Sequence, residues 1–109
     1  MRKVVPSRRL CERFRLTYEL KGAQRAVDLL ARYYGIRRMR IVVDGRRVGN
    51  GDRACYEDYT AYFKKRTIRK RLVLHEFYHH LAYVKDWDIS ERREEREADT
   101  YASRITRRG

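Results

Sequence analysis

All three histidines of the chain fall within six consecutive residues, which read HEFYHH from position 75 to position 80. His75 and His79 are four residues apart, so on a helix they share one face, about 6 Å apart along the axis. Two imidazoles placed in this way can bind one zinc ion, and Glu76 lies where it can reach a water on that metal. Because zinc lowers the pKa of such a water toward neutrality, Glu76 is the expected general base. The spacing therefore predicts metal-assisted hydrolysis.

A catalytic zinc also needs a third protein ligand. No histidine occurs downstream, but the segment 94–99 is acidic, and three glutamates in it compete for the ligand position: Glu94, Glu95 and Glu97. A metal-bound histidine usually donates its second N–H to a carboxylate. Only Glu95 has an acid one helical turn further on, Asp99. This pattern favours Glu95 as the ligand and Asp99 as the partner of His75, with Glu97 and then Glu94 as alternatives.

Two helices are required to carry these side chains, and the sequence predicts both. From Thr67 onward apolar residues recur on nearly every side of a helical projection, which is typical of a buried central helix. A last helix is expected to begin at Ile89 or Ser90 and to end at Ile105, with Asp88 or Ser90 as its N-cap. Ala98 and Ala102 are small enough for the two helices to approach closely.

Upstream of the motif the sequence predicts a helix followed by a small sheet. Helically spaced apolar residues run from Gly22 to Tyr34, and Gly35 is suited to end that helix. Residues 10–20 extend the helical pattern, although apolar residues there also alternate as in a strand. Three or four short strands follow, with turn signals between them at Asp44-Gly45 and at Asn50-Gly51-Asp52. The strand segments are Met39–Val43, Ala54–Tyr56 and Tyr59–Lys64.

The length of 109 residues and the 42% hydrophobic content fit one folded domain spanning residues 1–109. The predicted fold class is α+β, with an N-terminal helix, a three- or four-stranded antiparallel or mixed sheet, the motif helix and a C-terminal acidic helix. No apolar run approaches the length of a membrane span, and no signal-peptide core follows the N-terminus. We therefore expect a cytoplasmic, monomeric protein with no membrane partner. A single glutamine and a single asparagine among many charged residues favour a thermophilic source.

The charge balance predicts a rival function. Twenty-eight lysines and arginines against fifteen acids give a net charge of +13, which attracts phosphate backbones. The rival is a basic nucleic-acid-binding or regulatory protein with a structural or vestigial zinc site, served by the basic residues 64–66 and 69–71. A third alternative is a toxin or regulator that acts on one protein partner. Against the rival, seven of the fifteen acids lie between Asp86 and Asp99, beside the predicted site.

The two motifs together resemble those of the gluzincin metallopeptidases. The H-E-x-x-H sequence is followed by Glu95-x-Glu97-Ala98-Asp99, which is similar to the E-x-x-A-D pattern of the gluzincin glutamate helix. The short chain and the element order resemble the smallest members, the single-domain minigluzincins. The resemblance implies a minimal zincin-like domain and a zinc endopeptidase acting on peptide or protein substrates. It also implies that Glu95 binds zinc and that Asp99 supports a ligand histidine.

The resemblance has further implications for the cleft. An edge strand, either Ala54–Tyr56 or Tyr59–Phe63 here, is expected to pair with extended substrate. A chain terminus, either the first residues or Arg104–Gly109, is expected to hold the enzyme latent. His80 points about 100° away from His79 on a helix and is expected to be a supporting or surface residue. The donor that stabilises the oxyanion stays open among several arginines and four tyrosines: Tyr56, Tyr59, Tyr62 and Tyr101.

Overall fold

The computed structural model of the chain describes residues 5–65 and 68–107. The elements follow in the order α1 (Arg8–Lys21), α2 (Ala23–Tyr34), β1 (Arg40–Val43), a short 3-10 helix (Gly45–Arg47), β2 (Ala54–Glu57), β3 (Thr60–Phe63), α3 (Lys70–Val84) and α4 (Glu91–Arg107). This is the α+β architecture that the sequence predicts. None of the helices in these ranges is both long enough and apolar enough to cross a bilayer.

The N-terminal helical region consists of two helices instead of the single one predicted. The Ser7 hydroxyl accepts a hydrogen bond from the Leu10 N–H (3.1 Å) and caps α1. Gly22 has a φ of +93° and separates α1 from α2, and Gly35 ends α2 in the left-handed conformation as predicted. Leu10 is buried while Leu20 is exposed. Because burial follows a helical period here, the alternative of a strand over residues 10–20 is wrong.

The sheet is mixed and has the strand order β1-β3-β2. Strand β1 runs parallel to β3, and β2 runs antiparallel to it. The turn between β2 and β3 has positive φ at both central residues, Asp58 (47°) and Tyr59 (65°), which matches the twist of a tight hairpin. Asp44 instead caps the 3-10 helix by accepting from the Arg46 N–H (3.2 Å). The predicted turn at Asp44-Gly45 is therefore real, but it does not join neighbouring strands.

One outer edge of the sheet is covered by a side chain. The Gln24 amide donates to the Met39 carbonyl (2.8 Å) and accepts from the Ile41 N–H (2.9 Å), as a neighbouring strand would do along β1. Strand β3 is paired on both sides, and among the described residues no strand pairs with the outer edge of β2. The edge of β2 is therefore the one that can accept another strand.

Helix α3 is buried on nearly all sides, as predicted, because α2, α4 and the sheet all pack against it. Helix α4 runs antiparallel beside it, with Ala98 and Ala102 fully buried. The Ser90 hydroxyl accepts from the Arg93 N–H (3.2 Å), so Ser90 and not Asp88 is the N-cap of α4. Thr67, where the sequence predicts the start of α3, lies outside the described residues.

His80 connects α3 to the sheet. It is fully buried, and its Nε2–H donates to the Arg37 carbonyl (2.6 Å). Its Nδ1 accepts from the Tyr56 hydroxyl (2.7 Å), and that hydroxyl accepts from the Tyr59 N–H (3.0 Å). Burial lowers the pKa of His80, in keeping with the neutral tautomer that this network requires. The alternative of a surface position for His80 is wrong, and its role is to hold β2 against the motif helix.

We expect Tyr56→Phe to lower the free energy of unfolding by about 1–3 kcal/mol, because it leaves two polar groups, on His80 and on Tyr59, without their partner. Tyr83→Phe is the matched control: its hydroxyl donates to Asp58 at the surface, so the expected change is within about 0.5 kcal/mol. Urea denaturation of the two variants measures the difference. Equal losses would show that the Tyr56 hydroxyl does not hold the sheet to α3.

Candidate metal centre

A groove of about 1000 Å³ lies between strand β2 and the helix pair α3–α4. Helix α3 contributes the three motif residues, His75, Glu76 and His79. Helix α4 contributes acidic side chains from its first three turns: Glu91, Glu94, Glu95 and Asp99. The predicted site residues therefore share one open cavity, bordered on its other side by residues 54–56 of β2.

The antiparallel arrangement of α3 and α4 decides which acid meets which histidine. Moving one turn forward along α3 corresponds to moving about one turn back along α4. His75 accordingly lies opposite Asp99, and His79 lies opposite Glu94. Glu95 falls between these two pairs and contacts both histidines.

Three potential ligand groups converge at this point. The Nε2 atoms of His75 and His79 are 3.2 Å apart. The Glu95 carboxylate places one oxygen 3.0 Å from Nε2 of His75 and the other 2.9 Å from Nε2 of His79. Adjacent ligands on a tetrahedral zinc with bonds of 2.0–2.1 Å are separated by about 3.3 Å. The spacing of the three groups is therefore close to that of a zinc coordination shell.

The outer hydrogen bonds determine which face of each imidazole points inward. The Nδ1–H of His75 donates to Asp99 Oδ1 (2.9 Å), and the Nδ1–H of His79 donates to Glu94 Oε2 (2.5 Å). Because ionised carboxylates only accept, each Nδ1 can keep its proton on its own outer carboxylate while Nε2 gives up its proton to bind a metal. In that tautomer two Nε2 lone pairs and the Glu95 carboxylate would face one bound cation. A His-His-carboxylate set with an open side fits zinc.

Glu97, the leading alternative to Glu95, faces another part of the molecule. Its carboxylate accepts from the Tyr78 hydroxyl (2.9 Å) and from the Arg93 guanidinium (2.9 Å), and it does not line the groove. Glu95 is thus the glutamate that meets both histidines in this structure. The choice between Glu95 and Glu97 depends on which face of α4 is turned to α3.

Glu94 supports His79 in the way that Asp99 supports His75, a role that the sequence argument did not assign to it. The predicted pairing of Asp99 with His75 already indicates this role. If the two helices are antiparallel, His79, one turn after His75, must face a residue about one turn before Asp99, which is Glu94 or Glu95. Each candidate ligand histidine therefore has its own carboxylate, which sets its tautomer and ring orientation.

Glu76 lies in the groove beside this cluster and is only 6% exposed. Burial raises the pKa of the Glu76 carboxyl above its ordinary value, and the nearby His79 and His75 act in the opposite direction. A carboxylate with a raised pKa is a stronger base. The position of Glu76 agrees with the role that the motif predicts for it.

Of the four tyrosines predicted as oxyanion donors, only Tyr56 lines the groove, and its hydroxyl already donates to His80. The Tyr101 hydroxyl instead shares a hydrogen bond with Tyr34 inside the core (3.0 Å). Residues 104–107 belong to α4 and do not line the groove. Residues 1–4 and 108–109, the remainder of the termini predicted to cover the cleft, lie outside the described residues.

We expect Glu95→Ala to abolish measurable zinc binding, because it removes the group that faces both histidines. The matched variant Glu97→Ala should bind zinc as the parent does, since it affects only contacts with Tyr78 and Arg93. Titration of dialysed protein against a chromophoric chelator measures both affinities. If Glu97→Ala loses zinc and Glu95→Ala keeps it, the ligand assignment is wrong.

The supporting carboxylates yield a separate prediction. We expect Glu94→Gln and Asp99→Asn each to weaken zinc binding by roughly 10–100-fold, because each removes the charged acceptor of an imidazole N–H. Glu91→Gln, a change in the same groove that contacts neither histidine by a hydrogen bond, serves as the control in the same titration. Unchanged affinity in Glu94→Gln would remove Glu94 from the site.

Comparison of the chain with protein-family models, with curated proteins and with solved structures gives no match in any of the three. The resemblance of the two motifs to those of the gluzincins stays a prediction made from those residues. What this chain does is inferred from the chemistry of its own side chains.

Proposed function

We propose that the chain is a zinc-dependent endopeptidase that holds its metal through His75, His79 and Glu95. The observation that carries this proposal is the convergence of two imidazole nitrogens and a carboxylate in an open groove. Each imidazole is oriented by its own carboxylate, which is typical of metal-binding histidines. If His75 and His79 served only to pack the core, their side chains would need neither to converge on Glu95 nor to face an open groove.

The chain's own residues supply the proton transfers. Zinc, when bound, provides the Lewis acidity that activates water and polarises a peptide carbonyl. The Glu76 carboxylate accepts a proton from the attacking water as the water oxygen adds to the carbonyl carbon. As the C–N bond breaks, Glu76 returns that proton to the departing amine nitrogen. Both transfers take place at one side chain that is largely shielded from bulk water.

Strand β2 provides the surface that positions the substrate. Its outer edge borders the groove, and an extended peptide laid along it gains backbone hydrogen bonds of the kind made within the sheet. Of the two predicted edge segments, Tyr59–Phe63 is ruled out because β3 is paired on both sides. Recognition through the backbone suits an enzyme that cleaves within unfolded or extended segments.

The motif resemblance supports the same assignment of roles. In the gluzincins, as in this proposal, the first glutamate of the E-x-x-A-D pattern binds zinc and the aspartate supports a ligand histidine. The helix carrying H-E-x-x-H and the helix carrying the glutamate are the buried α3 and the antiparallel α4. A monomeric, cytoplasmic enzyme of the minigluzincin type is the form of the proposal that we favour.

The decisive experiment compares the parent protein with Glu76→Gln. Elemental mass spectrometry of dialysed, untagged protein is expected to find about one zinc per chain in both, because Glu76 is not a ligand. Hydrolysis of a fluorescently labelled unfolded protein such as casein is expected only in the parent, with a loss of at least about 1000-fold in the variant. Turnover in Glu76→Gln would remove Glu76 as the base. Absence of zinc uptake in the folded parent would remove the metal site.

A second candidate function rests on the net charge of +13. A group of basic residues lies just before and at the start of α3: Lys64, Lys65, Arg69 and Arg71. Lys70, in the same stretch, is paired with Glu19 (2.8 Å). A nucleic-acid-binding protein is expected to show affinity for DNA or RNA that falls steeply with salt. If such binding survives both chelation of zinc and Glu76→Gln while no peptide is cleaved, the second candidate replaces the first.

A further inference from the structure

The groove has a direction, which follows from how β2 lies against α3. Tyr56 of β2 bonds to His80, and Asp58, directly after β2, bonds to Tyr83, which lies about one turn further along α3. Moving forward along β2 therefore corresponds to moving forward along α3, so the two elements run in the same direction. The groove between them has one end at the beginning of α3 and the other end past its C-terminus.

The two ends carry opposite charge. The part of the groove near the start of α3 is lined by three arginines, Arg53, Arg69 and Arg71, and by two acids, Asp52 and Asp99, of which Asp99 is bonded to His75. At the other end the charged lining residues are Asp86, which follows α3, and Glu91, in the first turn of α4, and no described basic residue lines that end. Because the chain as a whole has a net charge of +13, the acidic character of this end comes from where these two acids lie in the fold. We call these the basic end and the acidic end.

The acidic end also presents aromatic and apolar surface. Tyr83, Trp87 and Ile89 line it together with the two acids. The Tyr83 ring is about half exposed, and Trp87 is half-buried against Tyr78. Aromatic faces beside carboxylates suit the side chain of arginine or lysine, whose aliphatic part packs on the rings while its charge meets the acids.

We propose that the groove selects its peptide substrates by charge, with a basic side chain on the N-terminal side of the scissile bond and an acidic one on the C-terminal side. The proposal rests on the peptidase function proposed above. An added strand is more stable per residue when antiparallel, so the substrate runs opposite to β2. Its N-terminal part then lies at the acidic end, and its C-terminal part lies at the basic end.

Distances along α3 predict where the selected residues fall. Measured along the helix axis from the level midway between His75 and His79, Asp86 lies nine residues further on, or about 13.5 Å, and Arg71 lies six residues back, or about 9 Å. An extended peptide advances about 3.3 Å per residue. The basic residue is therefore expected about four positions before the scissile bond, and the acidic residue about three positions after it.

The test uses three decapeptides with the same apolar core and a fluorescence quencher pair. The first has arginine four positions before the core bond and glutamate three positions after it, the second has these residues exchanged, and the third has glutamine at both. With zinc-loaded parent at low salt, we expect kcat/KM for the first to exceed that for the second by about tenfold. The ratio should shrink in 0.5 M NaCl, because exposed charges are screened.

A matched set of variants links the preference to the acidic end. Asp86→Asn combined with Glu91→Gln is expected to reduce the preference, measured as the ratio of kcat/KM for the first peptide to that for the second, to about a third or less of its value in the parent. Glu12→Gln removes an acid from α1, away from the groove, and should leave the preference intact. Equal rates for the first two peptides, faster cleavage of the second, or a preference that survives the double variant overturns the proposal.

A separate arm distinguishes this inference from the peptidase function. If the parent cleaves neither the peptides nor unfolded casein, the proposed function has failed, and the charge selection is then read from binding. Fluorescence anisotropy of labelled peptides with Glu76→Gln should show tighter binding of the first peptide than of the second. Equal binding, or tighter binding of the second peptide, overturns the charge selection, whereas tighter binding of the first retains it for a peptide-binding groove that does not cleave.

Discussion

The close antiparallel packing of α3 against α4 is the constraint on which the candidate site depends. Ala98 and Ala102 are fully buried between the helices, so the side chains around them project into one shared space. At this separation a turn of α3 is matched to a turn of α4, and each histidine receives a carboxylate from across the interface. Glu95 then lies between the two pairs. A larger residue at either alanine would push α3 and α4 apart. It would separate the histidines from all of their carboxylate partners at once, because the two helices position every one of these side chains.

The groove also requires strand β2 opposite the helices, and buried hydrogen bonds hold β2 in place. His80 follows directly after a candidate metal ligand on α3, yet it faces the sheet and bonds to Tyr56 and to the Arg37 carbonyl. One helix thus presents two histidines to the groove and one to the core. Gln24 covers the edge of β1, so the edge left open by the described strands is that of β2, which borders the groove.

The acidic and the basic residues are unevenly distributed over the molecule. The chain carries +13 overall, and the acids that offset it are concentrated along α4 and the turn before it. Several of those acids are held by histidine, tyrosine or arginine partners, as in the contacts of Glu94 and Glu97. Of the remaining acids, Asp86 and Glu91 line one end of the groove, while arginines line the other. A groove of this kind can distinguish peptides by the order of their charges, which a uniformly basic surface cannot do.

The sequence by itself determined the α+β class, the buried motif helix, the acidic helix and the residues that converge on the candidate centre, because these follow from helical periodicity and from spacing within single helices. It favoured Glu95 over Glu97 through the spacing to Asp99, but only the tertiary structure showed Glu97 held by Tyr78 and Arg93 on another face of α4. The split of the N-terminal helix at Gly22, the parallel pairing of β1 with β3 and the open edge of β2 also required the fold. Strand pairing and helix rotation are set by contacts between residues far apart in the chain, which local patterns do not encode.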